Sequence, residues 1–264
     1  NVTLAQPMAT TVAATLQQNA NYAWTLAVDA PSFDPKVLSK DAGLASLGLS
    51  LKGSGDKGAG TVNGSIDVNG HRVQIEPLRY ALAEKILTIE ALSLRTPEAA
   101  GKLDANGTVD LGAEKPTAAL NLTWEGVEIP PDLAGQAIAT HGAITFNGGA
   151  EKFAAKGKLS AGPPGQLADI ELDLDGTADA IALHRLALVQ PKGGFAANGT
   201  VTLKPVIGWK LDAKADRFDP GAFAAQWPGS LSFTLATEGT SSDQGVAAKL
   251  KLDKLDGKLR DRPV

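Results

Sequence analysis

The chain contains no cysteine. Disulfides, zinc–thiolate sites, iron–sulfur clusters and thiol nucleophiles are therefore excluded. Aromatic residues make up only 5 % of it. A compact β-sandwich ordinarily anchors its core on large aromatics; here the apolar work falls to Leu, Val, Ile and Ala. No run of eighteen apolar residues occurs, so no segment can span a bilayer as a helix. The only methionine is Met8 and the first residue is Asn1. The chain reads as a piece of something longer, with any signal or anchor lying outside it. Its 25 basic and 29 acidic residues are interspersed and leave a net charge of −4. That gives no footprint for nucleic acid and no polybasic patch for anionic lipid. What is present is 43 % hydrophobic residues in 264, enough to rule out disorder and to build one or two globular domains or one elongated one.

Period-two alternation dominates. Leu47-Gly48-Leu49-Ser50-Leu51-Lys52 and Ser230-Leu231-Ser232-Phe233-Thr234-Leu235 are instances, and Asp169-Ile170-Glu171-Leu172-Asp173-Leu174-Asp175 is the cleanest. This is the pattern of strands with one dry and one wet face. Asn-Gly pairs at 63, 69, 106, 147 and 198 read as turn signals. Those at 63 and 69 are too close for both to be hairpin tips, so one is a bulge. Helix signals are few. Asp34-Pro35 opens a short stretch to about Leu38, Asp219-Pro220 does the same before Ala222, and Pro131-Asp132 opens a turn towards Ile138. Residues 5–20 suit either helix or strand. About eighteen strands are expected in an all-β, antiparallel fold with few short helices.

A cassette occurs twice, 185 residues apart: Trp24, Leu26, Ala30, Phe33, Asp34, Pro35 and Trp209, Leu211, Ala215, Phe218, Asp219, Pro220. A third, worn copy starts at Trp124, with Pro130 and Pro131 in place of Phe-Asp-Pro. Ala105-Asn106-Gly107-Thr108-Val109 recurs as Ala197-Asn198-Gly199-Thr200-Val201. Units that cannot bury their apolar faces alone must stack on their neighbours. Residues 1–264 therefore read as one continuous repeat-built array with soft module boundaries near 105 and 198.

Chemistry-bearing motifs are weak. Gly53-Ser54-Gly55-Asp56-Lys57-Gly58 matches G-x-G-x-x-G, but a strand and a turn follow it, not the helix a pyrophosphate needs. Glu171, Asp173 and Asp175 resemble the start of a calcium loop, yet the twelfth position is Ala182. His71, His141 and His184 lie far apart, and no serine has nucleophile-elbow context. No enzyme, metal or cofactor is expected.

The remaining candidate is the apolar face itself. Its members are Leu26, Val28, Leu47, Leu49, Leu51, Ile66, Val68, Val73, Ile75, Ile86, Ile89, Leu92, Leu94, Val109, Leu111, Leu120 and Leu122. It continues through Ile144, Phe146, Ile170, Leu172, Leu174, Leu186, Leu188, Val201, Leu203, Leu211, Leu231, Phe233, Leu235, Leu250 and Leu252. Either these residues form an ordinary core between two sheets, or a curved sheet holds them around a hydrophobic trough for acyl chains. Non-directional burial at ~0.8 kcal/mol per CH₂ would let a chain slide along such a trough.

Trp209-Lys210-Leu211, Phe218-Asp219-Pro220 and Gln226-Trp227-Pro228-Gly229-Ser230-Leu231-Ser232-Phe233 resemble the repeated Trp-Pro-Gly segment of the TamB family, within the AsmA-like, bridge-like lipid transfer group. Leu255-Asp256-Gly257-Lys258-Leu259-Arg260-Asp261-Arg262-Pro263 is similar to the stretch that follows in that family. The sharp likeness covers about residues 205–263. It implies a β-taco groove with a hydrophobic concave face. It implies a periplasmic segment of a protein anchored in the inner membrane and reaching the outer membrane, where it partners the barrel TamA. It further implies phospholipid passage and support of outer-membrane protein assembly. The piece is expected from the middle of the array, with no TamA contact of its own.

Overall fold

The computed structural model describes residues 2–4, 10–17, 22–34, 46–96, 101–224, 226–242 and 245–264. Eighteen strands occur among them. The first eight are β1 (Val2–Leu4), β2 (Thr10–Leu16), β3 (Trp24–Phe33), β4 (Leu47–Gly55), β5 (Ala59–Val68), β6 (His71–Ala83), β7 (Ile86–Arg95) and β8 (Lys102–Asp110). Then come β9 (Thr117–Ile129), β10 (Ile138–Gly149), β11 (Phe153–Gly162), β12 (Ala168–Gly176), β13 (Ala180–Gln190) and β14 (Gly193–Thr202). The last four are β15 (Ile207–Phe218), β16 (Gly229–Ser242), β17 (Gly245–Leu259) and β18 (Arg262–Pro263). Residues 10–16, open to helix or strand from sequence, are strand. Among the described residues, helix is confined to α1 (Pro131–Ala134) and a 3-10 turn at Pro220–Ala222.

The chain divides into two compact units, one of residues 1–114 and 122–127, the other of 115–121 and 128–264. Each is an antiparallel ladder of consecutive strands. In the first, β1 through β8 pair in order. In the second, β10 through β18 do so. The main contacts between elements join neighbours along the chain, so among the described residues neither unit has a second sheet packed on the first.

Burial reflects this. The buried apolar residues are Ala30, Ala168 and Ala215, and no large side chain is fully buried among the described residues. The accessible surface is 16354 Å² at 27.1 kDa, against about 10,800 Å² for a globular protein of that mass.

The two cassettes build the same structure. Trp24 pairs with Gly55 and Ala30 with Leu49; a bulge follows, then Phe33 pairs with Leu47. Trp209 pairs with Gly239 and Ala215 with Phe233; a bulge follows, then Phe218 pairs with Leu231. Each indole lies over glycine. A Cβ on Gly239 would stand 2.5 Å from Trp209 Cζ2, and one on Gly55 would stand 3.0 Å from Trp24 Cζ2. The ring occupies the space the missing side chain leaves. The Trp209 indole donates to Thr237 Oγ1 at 3.1 Å and that of Trp24 to the Asp56 carbonyl at 3.2 Å.

Asp219 Oδ1 accepts from the amides of Gly221 and Gly229 at 2.8 and 2.9 Å and so caps the 3-10 turn. The side-chain amide of Gln190 grips the same residue, accepting from Asp219 N and donating to Asp219 O, both at 2.8 Å. Pro131 opens α1 as read from sequence, but Gly135 at φ 77 ends it before Ile138. The turn expected after Asp34-Pro35 lies outside the described residues.

The Asn-Gly pairs correct the sequence reading. Only Asn69-Gly70 is a turn; the pairs at 63, 106, 147 and 198 lie inside strands. Gly64, Gly107 and Gly199 take φ of 153, 144 and 143. Each sits where the register with a neighbouring strand shifts, in β5–β6, β7–β8 and β13–β14. Glycine alone adopts this backbone without strain, and a bulge beside it bends and twists the ladder. The dipeptide thus marks a kink within a strand.

Candidate functional site

Directly opposed residues in an antiparallel pair project to the same face, so the registers define continuous rows. In the second unit one row runs Gly142, Leu159, Ile170, Leu188, Phe195, Ala215, Phe233. The next runs Ile144, Gly157, Leu172, Leu186, Ala197, Ala213, Leu235, Leu252. A third joins Phe146, Ala155, Leu174, Leu183, Gly199, Leu211, Thr237 and Leu250. At about 4.8 Å per strand, eight strands carry a row about 34 Å. None of these positions holds a charged residue. In the first unit, Val28, Leu51, Gly64, Ile75, Leu94 and Leu103 form one row, and Ala30, Leu49, Ile66 and Val73 another. Leu26 shares this face, and Leu47 pairs with Val68 on it.

The rows are half-buried apart from the buried Ala30 and Ala215 and the exposed Leu250 and Leu252 on β17, while the opposite face is charged. There Lys156 pairs with Asp173 at 2.9 Å, Arg185 with Glu171 at 2.9 Å and Lys249 with Glu238 at 3.2 Å. His184 Nε2 lies 3.2 Å from Asp175. Glu171 and Asp173 of the calcium-like motif are therefore the cross-strand partners of cations, and Asp175 lies beside an imidazole. No group of three or more metal-ligating side chains occurs among the described residues. In Gly53–Gly58, Asp56 at the β4–β5 tip accepts from the amides of Gly58 and Ala59 at 2.7 and 2.9 Å. Those two bonds hold its carboxyl below the ordinary carboxylate range. Lys102 and Ser93 do the same for Asp104 on the charged face.

The other sequence-derived residues fall as follows. Ile89, Leu92 and Val109 face Gly107, Ala105 and Leu87, on the apolar side of β7 and β8. Leu120 and Leu122 are half-buried on β9. Leu231 pairs with Gly257, whereas Leu250 and Leu252 on β17 are 64 % and 42 % exposed. Ile86 departs from the expectation. It pairs with Asp110 and Ala83 and lies on the polar side, because the two-residue turn Glu84-Lys85 puts Leu87, not Ile86, in phase with Ile89. Leu111 and Leu203 lie just past the ends of β8 and β14 and are exposed. The rows also include residues that the alternation did not flag: Leu78, Leu87, Leu159, Leu183 and Phe195. Bulges hid Leu78 and Leu183, because alternation counted across a bulge changes phase.

One end of the second unit is drawn together. Gln136 Nε2 reaches the Ala222 carbonyl at 3.5 Å, although β10 and β15 would stand about 24 Å apart in a flat sheet. Phe195 and Phe218 meet at 5.6 Å between centroids near this end, and Phe146 and Phe153 at 6.0 Å near the other.

A single-layer antiparallel ladder, charged on one face and uncharged along continuous rows on the other, defines an open β-array. The family model of the TamB N-terminal domain matches residues 60–264, and the chain belongs to the TamB family, a transport and assembly component. The match reaches well beyond residues 205–263, where the sequence likeness is sharp. No curated protein and no solved structure matches the chain. No helix among the described residues is long and apolar enough to cross a membrane.

Proposed function

We propose that this chain is a periplasmic segment of an envelope-spanning protein and that its uncharged rows carry phospholipid acyl chains between the inner and outer membranes. The observation that supports this reading is an apolar face that crosses consecutive strands unbroken and, among the described residues, has no second sheet over it. A filled core would contain fully buried large side chains; among the described residues there are none. Each methylene laid on such a face contributes ~0.8 kcal/mol without a directional bond to hold it in place. Denaturing extraction of purified protein followed by lipid mass spectrometry is expected to yield phospholipid at near one molecule per chain. Protein free of acyl lipid would sink the reading.

One observation favours a second role in outer-membrane protein assembly. Among the described residues, β17 pairs along its length with β16 but meets β18 only at Lys258 and Leu259. An unpaired edge accepts a strand by β-augmentation. Site-specific crosslinkers at Val246 and Leu250 would capture an outer-membrane barrel strand under this role, and lipid alone under the first. A barrel partner such as TamA belongs to the whole protein and is assigned to no residue here.

A further inference from the structure

The end of the second unit that carries the Asp219 cap also holds a cavity of about 500 Å³, lined by Gln166, Gln190, Lys192, Arg217, Asp219 and Ser230 among others. Two cations face it. Lys192 belongs to the β13–β14 turn, and Arg217 lies in the β15 bulge between Ala215 and Phe218. Arg217 is poorly paired: its Nε stands 3.8 Å from Asp216, beyond hydrogen-bond range. Lys192 has no acidic partner among the described residues. The one acid in the wall, Asp219, has Oδ1 committed to two backbone amides. Ser230 and Gln166, both exposed, add a hydroxyl and an amide. The cavity also lies next to the apolar rows in sequence and register. Gln190 stands two residues from Leu188 on the same face of β13, and Phe218, next to Arg217, meets Phe195 of the first row at a tilt, with 5.6 Å between ring centroids.

We infer that this cavity holds the phosphate of a phospholipid whose acyl chains lie along the adjoining rows. A guanidinium fork and an ammonium beside a hydroxyl are the donors a phosphate diester selects. Leu188 and Phe218 follow closely on the lining residues Gln190 and Arg217, so polar donors and apolar rows adjoin as the two parts of an amphiphile require. The inference rests on the lipid reading above and adds to it a place where the headgroup stops, in a trough otherwise without directional bonds.

The test compares uptake, from vesicles, of phosphatidylglycerol and of a diacylglycerol with the same acyl chains. The native chain is expected to prefer the phospholipid about tenfold, the effect of one or two charge-assisted hydrogen bonds. In Lys192→Ala/Arg217→Ala the preference is expected to fall below about twofold while diacylglycerol uptake persists. Lys192→Arg/Arg217→Lys is expected to keep it, which separates lost charge from lost fold. A preference that survives the double alanine change overturns the headgroup site and leaves the trough reading standing. Uptake of neither lipid by the native chain overturns both. Glycerol phosphate displacing the phospholipid at equal concentration would make this a site for free phosphate esters and overturn the lipid assignment.

Discussion

Asp219 shows how one side chain can secure a whole strand end. Its carboxylate holds two amides, and its backbone is held in turn by Gln190. Asp219→Ala is expected to lower stability by about 1–2 kcal/mol, read as a shift in urea midpoint. Gln190→Ala should couple to it in a double-mutant cycle; strictly additive effects would contradict the clamp. Asp56 makes the corresponding statement about acid. Its folded-state carboxyl is depressed below 3.8 by the Gly58 and Ala59 amides. Its stabilising contribution is therefore present above the unfolded pKa and is lost as pH falls through the lower, folded value. The Gly58 and Ala59 amide resonances should titrate with a midpoint below 3.8; a midpoint at or above it would remove the bonds from the account.

Leu172 lies inside an eight-strand row, between Gly157 and Leu186. Leu172→Arg places a charge where acyl chains would pass and is expected to cut lipid uptake about tenfold or more. Because the position is only half-buried, the same change should leave the far-UV spectrum intact. Loss of fold instead of uptake would show that the row is a packed core. Strand content, the cassette and the turns opened at Pro131 and Pro220 were legible in the sequence, since alternation and the prolines are local signals. The in-strand glycines were not. Asn198-Gly199 reads as a hairpin tip until its partners Asp212 and Leu211 are known, and those lie on a strand the local pattern cannot identify. The same limit displaced Ile86, whose face depends on the length of a two-residue turn. Which apolar rows join is a matter of register, and register is set across strands.

A single-layer fold has its own thermodynamic signature. Taking the unfolded chain as about 1.45 Å² per dalton, unfolding exposes about a fifth less surface than for a globular protein of equal mass. The denaturant m-value, summed over all transitions, should be lower by about that fraction. A value normal for 264 residues would argue for a covering layer. The division into two units further predicts that unfolding followed by fluorescence and by far-UV dichroism will not coincide.

The strand count between cassette strands also constrains how such a chain can change length. Trp24 opens β3, Trp124 lies in β9 and Trp209 in β15, six strands apart each time. In an antiparallel ladder an even step restores strand direction and an odd step reverses it. Within the second unit, insertion or loss of one strand would turn every later strand end for end, carrying the Asp219 cap and its cations to the opposite border. Loss or gain of a hairpin would not. Length variation in this array should therefore come in pairs of strands, in steps of about 10 Å.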